Sequence, residues 1–232
     1  MSSNEPDRRR LDDHDAEPVD DGSGPATTSA ERLKAFTDAV VAIAMTLLIL
    51  PLMESVTDAG AEGGGVVAWF GEHAEQLMSF ALSFALIATF WLANHRVFAR
   101  VERTSPALLW LTIGWMFTIV WLPVPTAMLG SMDTDDAQKL VYIGSLVLTS
   151  VMSLAIRWYL LRHPALHSVA ELRLRRGILA DVITTGLFLV ALALSILVPA
   201  IGYWALLLLV LVSPVHTLLW RALGRGGRRS ST

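Results

Sequence analysis

The sequence predicts an all-α polytopic membrane protein with six transmembrane helices and both termini in the cytoplasm. Three observations support this: the composition, the length of the apolar segments and the distribution of basic residues. Hydrophobic residues make up 53% of the 232 residues, charged residues make up 17%, and the mean hydropathy is +0.52. Soluble domains carry about 25% charged residues, so this composition argues against an ordinary soluble enzyme.

Six segments are long and apolar enough to cross a bilayer. A helix needs about 20 mostly apolar residues to span roughly 30 Å of hydrocarbon. The segments that meet this requirement are 36–53, 78–98, 107–129, 140–161, 178–199 and 201–220. Residues 66–76 are expected to extend the second segment as an amphipathic helix.

The basic residues predict the orientation. Of the 18 lysines and arginines, only Lys139 falls on the side opposite to all the others. Lysine and arginine gather in the short cytoplasmic loops of membrane proteins. We therefore expect a multi-pass membrane protein with cytoplasmic termini. A single six-span unit has a prokaryotic character, which indicates the cell membrane. The glycine-rich stretch between the first two segments is expected to be a flexible outer linker; it contains Gly60, Gly63, Gly64 and Gly65.

The segments outside the spans divide the chain into three parts. Residues 1–30 are acidic and contain no apolar run, which is typical of a disordered tail. Residues 31–222 would form the six-helix domain and residues 223–232 a short basic tail. The chain has no cysteine, which excludes a disulfide scaffold, a thiol nucleophile and a cysteine-ligated metal site.

Few ionisable residues fall within the spans, where such groups are functional candidates. The candidates are Asp38, His95, Asp181 and His216, whereas Arg96 and Arg157, near span ends, are assigned to the cytoplasmic side. No catalytic triad, carboxylate pair or metal-binding histidine pair converges in the sequence, so we expect no enzyme activity, no cofactor and no protein-held metal. Asp181 is expected to pair with Arg175 or Arg176. His216 is read as a packed histidine, with a proton carrier as the alternative.

Three motifs along the first half of the chain are specific. The first span opens Arg32-Leu-Lys-Ala-Phe36-Thr37-Asp38, the second ends with Trp91-Leu-Ala-Asn-His95, and the third closes with Leu-Pro-Val-Pro-Thr over 122–126. In this order the motifs closely resemble the lysosomal/endosomal potassium channel family, in its prokaryotic branch. That family opens with Arg-x-x-x-Phe-Ser-Asp, so Thr37 replaces a serine and keeps the hydroxyl. The asparagine expected early in the third helix is not evident in 109–112.

The resemblance implies a homotetrameric, potassium-selective channel whose four first helices line the pore. The family has an apolar constriction on that helix and no Thr-Val-Gly-Tyr-Gly carbonyl filter. By motif position the constriction residues are Ile43, Thr46, Leu47 and Leu50, with Thr46 supplying a hydroxyl layer. Arg32, Phe36, Thr37, Asp38, Trp91 and His95 would form the structural motif. The implied partners are other copies of the chain, the lipid bilayer and permeating potassium ions, with no nucleic acid.

Helix geometry is consistent with this assignment. At about 100° per residue, the four constriction residues fit one stripe about 100° wide, and Asp38 lies about 140° from Ile43. Asp38 is therefore expected to hold the first helix against its neighbours, through His95 or Trp91. On composition alone, packing against lipid or a protein core is the favoured explanation of the stripe, because any span contains isoleucine and leucine; the motif match favours the pore instead. A secondary transporter for a cation or small solute is the alternative function, and a membrane-embedded enzyme or scaffold without transport is the third.

Overall fold

The computed structural model describes residues 25–61, 65–132 and 135–197, with side chains from residue 30 onward. These residues are mostly helical, and their one β-bridge joins Val101 to His167. The helices are α1 (Pro25–Leu47), α2 (Leu50–Ala61), α3 (Val66–Glu72), α4 (Ala74–Phe98), α5 (Pro106–Trp121), α6 (Pro123–Ser131), α7 (Asp136–Arg162) and α8 (Glu171–Leu197), with a 3₁₀ turn over Pro164–Leu166.

Five stretches of helix are long and apolar enough to cross a membrane, and they coincide with the first five predicted segments. They are Ala30–Ala61, Ala74–Phe98, Pro106–Ser131, Asp136–Arg162 and Glu171–Leu197. The chain is therefore a multi-pass membrane protein. The predicted sixth span over 201–220, His216 and the predicted basic tail all lie outside the described residues, as do residues 1–24.

The first span is longer than predicted because α1 starts earlier and α2 continues it. α1 begins at Pro25, inside the stretch that the sequence assigned to the tail. Proline suits the first turn of a helix because its missing N–H needs no partner there. At the far end, Pro51 cannot donate to the Leu47 carbonyl, so the helix breaks at residues 48–49 and resumes at Leu50. Gly60, predicted in a linker, lies within α2.

The third predicted span, 107–129, is two helices rather than one. Pro123 has no N–H for the Ile119 carbonyl, and Leu122 N instead bonds to Ile119 O at 3.2 Å. The chain then resumes as α6, where Thr126 N donates to Leu122 O at 3.1 Å. The predicted extension over 66–76 is likewise interrupted, because His73 separates α3 from α4.

The described spans alternate in direction, so that their basic residues gather at one end of the bundle. The loop after α4 meets the loop after α7 through the Val101–His167 bridge. At the opposite end, Lys139 near the start of α7 donates to the Ser195 carbonyl oxygen near the end of α8 at 3.2 Å. We call the end with the Val101–His167 bridge the basic end, because every described basic residue except Lys139 lies toward it. The cytoplasmic placement of the termini stays a prediction.

The centre of the bundle combines large apolar side chains with hydroxyl groups. Trp115, Leu108 and Ile119 of α5 are completely buried. Beside them, Thr126 donates to the Ser83 hydroxyl at 2.8 Å, and Ser83 shares a 2.9 Å hydrogen bond with the Tyr142 hydroxyl. Helices in lipid associate through close packing and such hydrogen bonds, because lipid is as apolar as leucine.

Candidate pore-lining site

One face of α1 packs against the rest of the chain. Its buried side chains recur every three or four residues, as one helix face requires. They are Ala30, Leu33, Thr37, Val41 and Ala44, followed by Leu48 just beyond the end of α1, all at most 7% exposed. This face contacts α4 and α5. The buried Thr37 hydroxyl donates to the Leu33 carbonyl oxygen at 2.8 Å, so this polar group has a partner on the packed face.

The opposite face of α1 is exposed, and the predicted constriction residues lie on it. Ile43 is 59% exposed, Leu50 51% and Leu47 38%. Thr46 is also exposed on this face. Ile43, Thr46, Leu47 and Leu50 are called the α1 stripe from here on. Leu50 lies beyond the helix break, so the α1 stripe continues across the joint between α1 and α2.

Thr46 places its hydroxyl in a defined orientation. The hydroxyl donates to the carbonyl oxygen of Ile43 at 2.7 Å. Because the hydrogen points along the helix, the oxygen lone pairs remain available to a ligand on the exposed face. A lone pair attracts a cation, so the α1 stripe contains one oxygen layer among apolar side chains.

Asp38 connects α1 to the end of α4. The indole Nε1 of Trp91 donates to Asp38 Oδ1 at 2.7 Å, and His95 Nδ1 lies 3.5 Å from the same oxygen. The Trp91 and His95 rings lie 5.2 Å apart. The structure thus contains both contacts that the sequence suggested for Asp38.

Arg32 and Phe36 do not join that cluster. Both are exposed, and they line an open groove between the start of α1 and the start of α5, together with Pro106 and Leu109. Their place is therefore at the basic end, on the same side of α1 as the α1 stripe.

The prediction that Asp181 pairs with Arg175 or Arg176 is wrong. Asp181 Oδ1 accepts from Arg157 Nη1 of α7 at 2.6 Å, whereas Arg175 pairs with Glu171 at 2.7 Å. On α8, Arg175 lies about 120° and Arg176 about 140° from Asp181 around the helix axis, so neither faces the same neighbour. A helical wheel would have excluded both arginines, but the choice of Arg157 depends on how α7 packs against α8.

The sequence matches a family model over the part that contains this site. Residues 32–123 match the family described as endosomal/lysosomal potassium channel TMEM175. The resemblance to the TMEM175 family is confirmed. The match includes the α1 stripe and the cluster of Asp38, Trp91 and His95.

The curated relatives include bacterial potassium channels and animal endosomal/lysosomal proton channels. The chain is 32% identical over 135 residues to a potassium channel of Streptomyces collinus, covering 56% of this chain and 64% of the relative. It is 32% identical over 109 residues to a potassium channel of Chamaesiphon minutus, covering 45% of this chain and 51% of the relative. The human endosomal/lysosomal proton channel TMEM175 is 27% identical over 146 residues, which cover 59% of this chain and 29% of that protein. The aligned part thus spans between half and two thirds of these two bacterial relatives.

A solved structure has the same fold. The lysosomal potassium-selective channel TMEM175 homolog from Chamaesiphon minutus aligns with a TM-score of 0.66 at 23% identity. The alignment covers 82% of this chain and 98% of that one. The helical architecture is therefore that of a TMEM175 homolog.

Proposed function

We propose that the chain is a potassium-selective cation channel built from four copies around a central axis, with α1 of each copy lining the pore. The observation that carries the proposal is the exposed α1 stripe, which lies within the residues that match the TMEM175 family. An apolar helix face that the described residues of its own chain leave uncovered is suited to contact with further copies. The names of the bacterial relatives as potassium channels support the choice of ion.

The α1 stripe would act as a hydrophobic constriction. A ring of isoleucine side chains cannot coordinate an ion, but a narrow apolar ring excludes water and so blocks conduction. Ile43 is proposed as the tightest ring because it is the most exposed of the apolar stripe residues. Opening would widen the ring until a partly hydrated ion passes.

Thr46 would supply selectivity in this arrangement. Its hydroxyl hydrogen is already donated to the Ile43 carbonyl, so four oxygen atoms would face the ion one turn from the constriction. Those oxygens would replace some of the water that the ion loses. The larger and more weakly hydrated potassium ion gives up water more easily than sodium.

Asp38 would set the rotation of α1 rather than contact ions. It accepts from Trp91 on the side of α1 that faces α4, away from the α1 stripe. Rotation of α1 determines which side chains point at the axis, so this contact would keep Ile43 directed into the pore.

The deciding experiment reconstitutes the full-length protein in planar bilayers with potassium on one side and sodium on the other. A channel gives unitary current steps and a reversal potential close to that of potassium. A secondary transporter gives no steps, and its uptake saturates with substrate and depends on a coupling ion. Absence of both potassium current and coupled uptake would leave a scaffold or an enzyme as the remaining function.

A further inference from the structure

A buried arginine joins three helices toward the basic end of the bundle. Arg157 of α7 has a side chain that is 9% exposed. Its Nη1 donates to the Gly177 carbonyl oxygen at 2.9 Å and to Asp181 Oδ1 at 2.6 Å, both on α8. Its Nη2 donates to the Ala93 carbonyl oxygen of α4 at 3.3 Å. We call Arg157 and these three acceptors the Arg157 clamp.

The Arg157 clamp requires an arginine. The Asp181 side chain is 13% exposed, and its Oδ2 is buried without a hydrogen-bond partner among the described residues. A charge within a membrane segment is costly unless it is paired. The planar guanidinium has donors on separate nitrogens and reaches a carboxylate and two carbonyls together, which the single ammonium of lysine does not.

Gly177 makes room for the guanidinium. A Cβ at this position would lie 3.1 Å from Arg157 Cδ, 3.2 Å from Nε and 3.3 Å from Nη1. Such contacts would push the Arg157 side chain, which is already held by its three acceptors. The close approach of α7 and α8 therefore depends on a glycine at 177.

The Arg157 clamp binds the same turn of α4 that contacts α1. Ala93 lies between Trp91 and His95, the two residues in contact with Asp38 of α1. We propose that the Arg157 clamp is a positioning device for α1: it fixes this turn of α4 and so sets the balance between the open and closed channel. The inference rests on the proposed channel function and adds Arg157, Gly177 and Asp181 to the residues that control it.

The test compares Gly177→Ala with Gly186→Ala in the full-length protein by single-channel recording in planar bilayers. Both replacements add one methyl group to α8, but a Cβ at Gly186 meets nothing within 4 Å. Gly177→Ala keeps every charge and raises helix propensity, so it is expected to fold. We expect it to change the open-to-closed ratio by about two- to thirty-fold, the range typical of coupling through packed networks. Gly186→Ala should leave that ratio unchanged.

Single-channel recording separates positioning from plain stability, because only assembled, conducting channels contribute to the ratio. A second pair of variants, Arg157→Lys and Arg175→Lys, repeats the comparison if Gly177→Ala yields no channels. Arg175 forms an exposed ion pair with Glu171 within α8, so its replacement should have no effect.

The outcomes distinguish this inference from the proposed function. If the wild-type protein conducts and each clamp variant behaves like its control, the Arg157 clamp is structural only and the inference fails alone. If the wild-type protein carries no current, the channel function fails and the inference fails with it.

Discussion

At the scale of single residues, the proposed constriction makes Ile43 the side chain that would control the entry of water. It is 59% exposed on a helix whose opposite face is buried. Replacement by asparagine keeps a similar size and adds a polar amide, so water should enter the constriction.

We expect Ile43→Asn to raise the resting potassium flux of liposomes by about tenfold, which corresponds to a barrier lowered by about 1.4 kcal/mol. Val190→Asn is the matched control, because Val190 on α8 is 56% exposed and belongs to a helix away from the α1 stripe. Equal fluxes from the two variants would remove Ile43 from the constriction.

Thr46 supports a separate prediction about ion choice. Thr46→Val has nearly the same shape but no oxygen, so we expect a several-fold lower potassium-over-sodium permeability, measured from the reversal potential. Thr46→Ser should retain most of the selectivity because it keeps the hydroxyl. Thr89→Val is the control: Thr89 is an exposed threonine of α4 whose hydroxyl also bonds to its own helix, at 2.8 Å from Ala85 O. An unchanged permeability ratio in Thr46→Val would defeat the proposed role of the hydroxyl layer.

At the scale of helices, two prolines each divide a predicted single span into two helices. A glycine then sets the distance between one of these helices, α6, and its neighbour α4. A Cβ at Gly130 of α6 would lie 3.0 Å from the backbone Cα of Gln76 on α4. Gly114 of α5 offers a contrast, because a Cβ there would meet only the end of the Met152 side chain, 2.6 Å from Cε and 4.0 Å from Sδ. Methionine is flexible and can move its end group, whereas a helix backbone cannot move without displacing its neighbours.

Gly130→Ala should therefore destabilise the protein by about 1–3 kcal/mol, the usual range for overpacking. Gly114→Ala should be close to neutral. Thermal unfolding of the purified variants in detergent, followed by size-exclusion chromatography, measures the difference. Equal transition temperatures would mean that α4 and α6 adjust freely at this contact.

At the scale of the whole molecule, the exposed α1 stripe requires further copies if it is to enclose a pore. We expect light scattering of the purified protein, corrected for detergent, to give four times the 25.3 kDa chain mass. Leu47→Ala shortens one side chain of the α1 stripe and should weaken this assembly. Leu189→Ala should not, because Leu189 is an exposed residue of α8 away from the α1 stripe. A monomer that conducts potassium would contradict the proposed arrangement.

Several features of the fold and the site could be predicted from local sequence. The first five membrane segments were found because about 20 apolar residues in a row is a local property. The alignment of Ile43, Thr46 and Leu47 on one face follows from helix periodicity alone. The interruptions at Leu48 and Leu122 were missed, although Pro51 and Pro123 were visible, because membrane helices often tolerate proline.

The sequence by itself determined the apolar segments, the face of α1 to which each side chain belongs and the motifs that relate the chain to the TMEM175 family. These depend on residue type and spacing along one chain. Only the tertiary structure decided that Asp181 pairs with Arg157, that one guanidinium reaches α4, and that the other described residues leave the α1 stripe exposed. Partner choice and exposure depend on which helix faces meet, and that is set by packing between residues far apart in sequence.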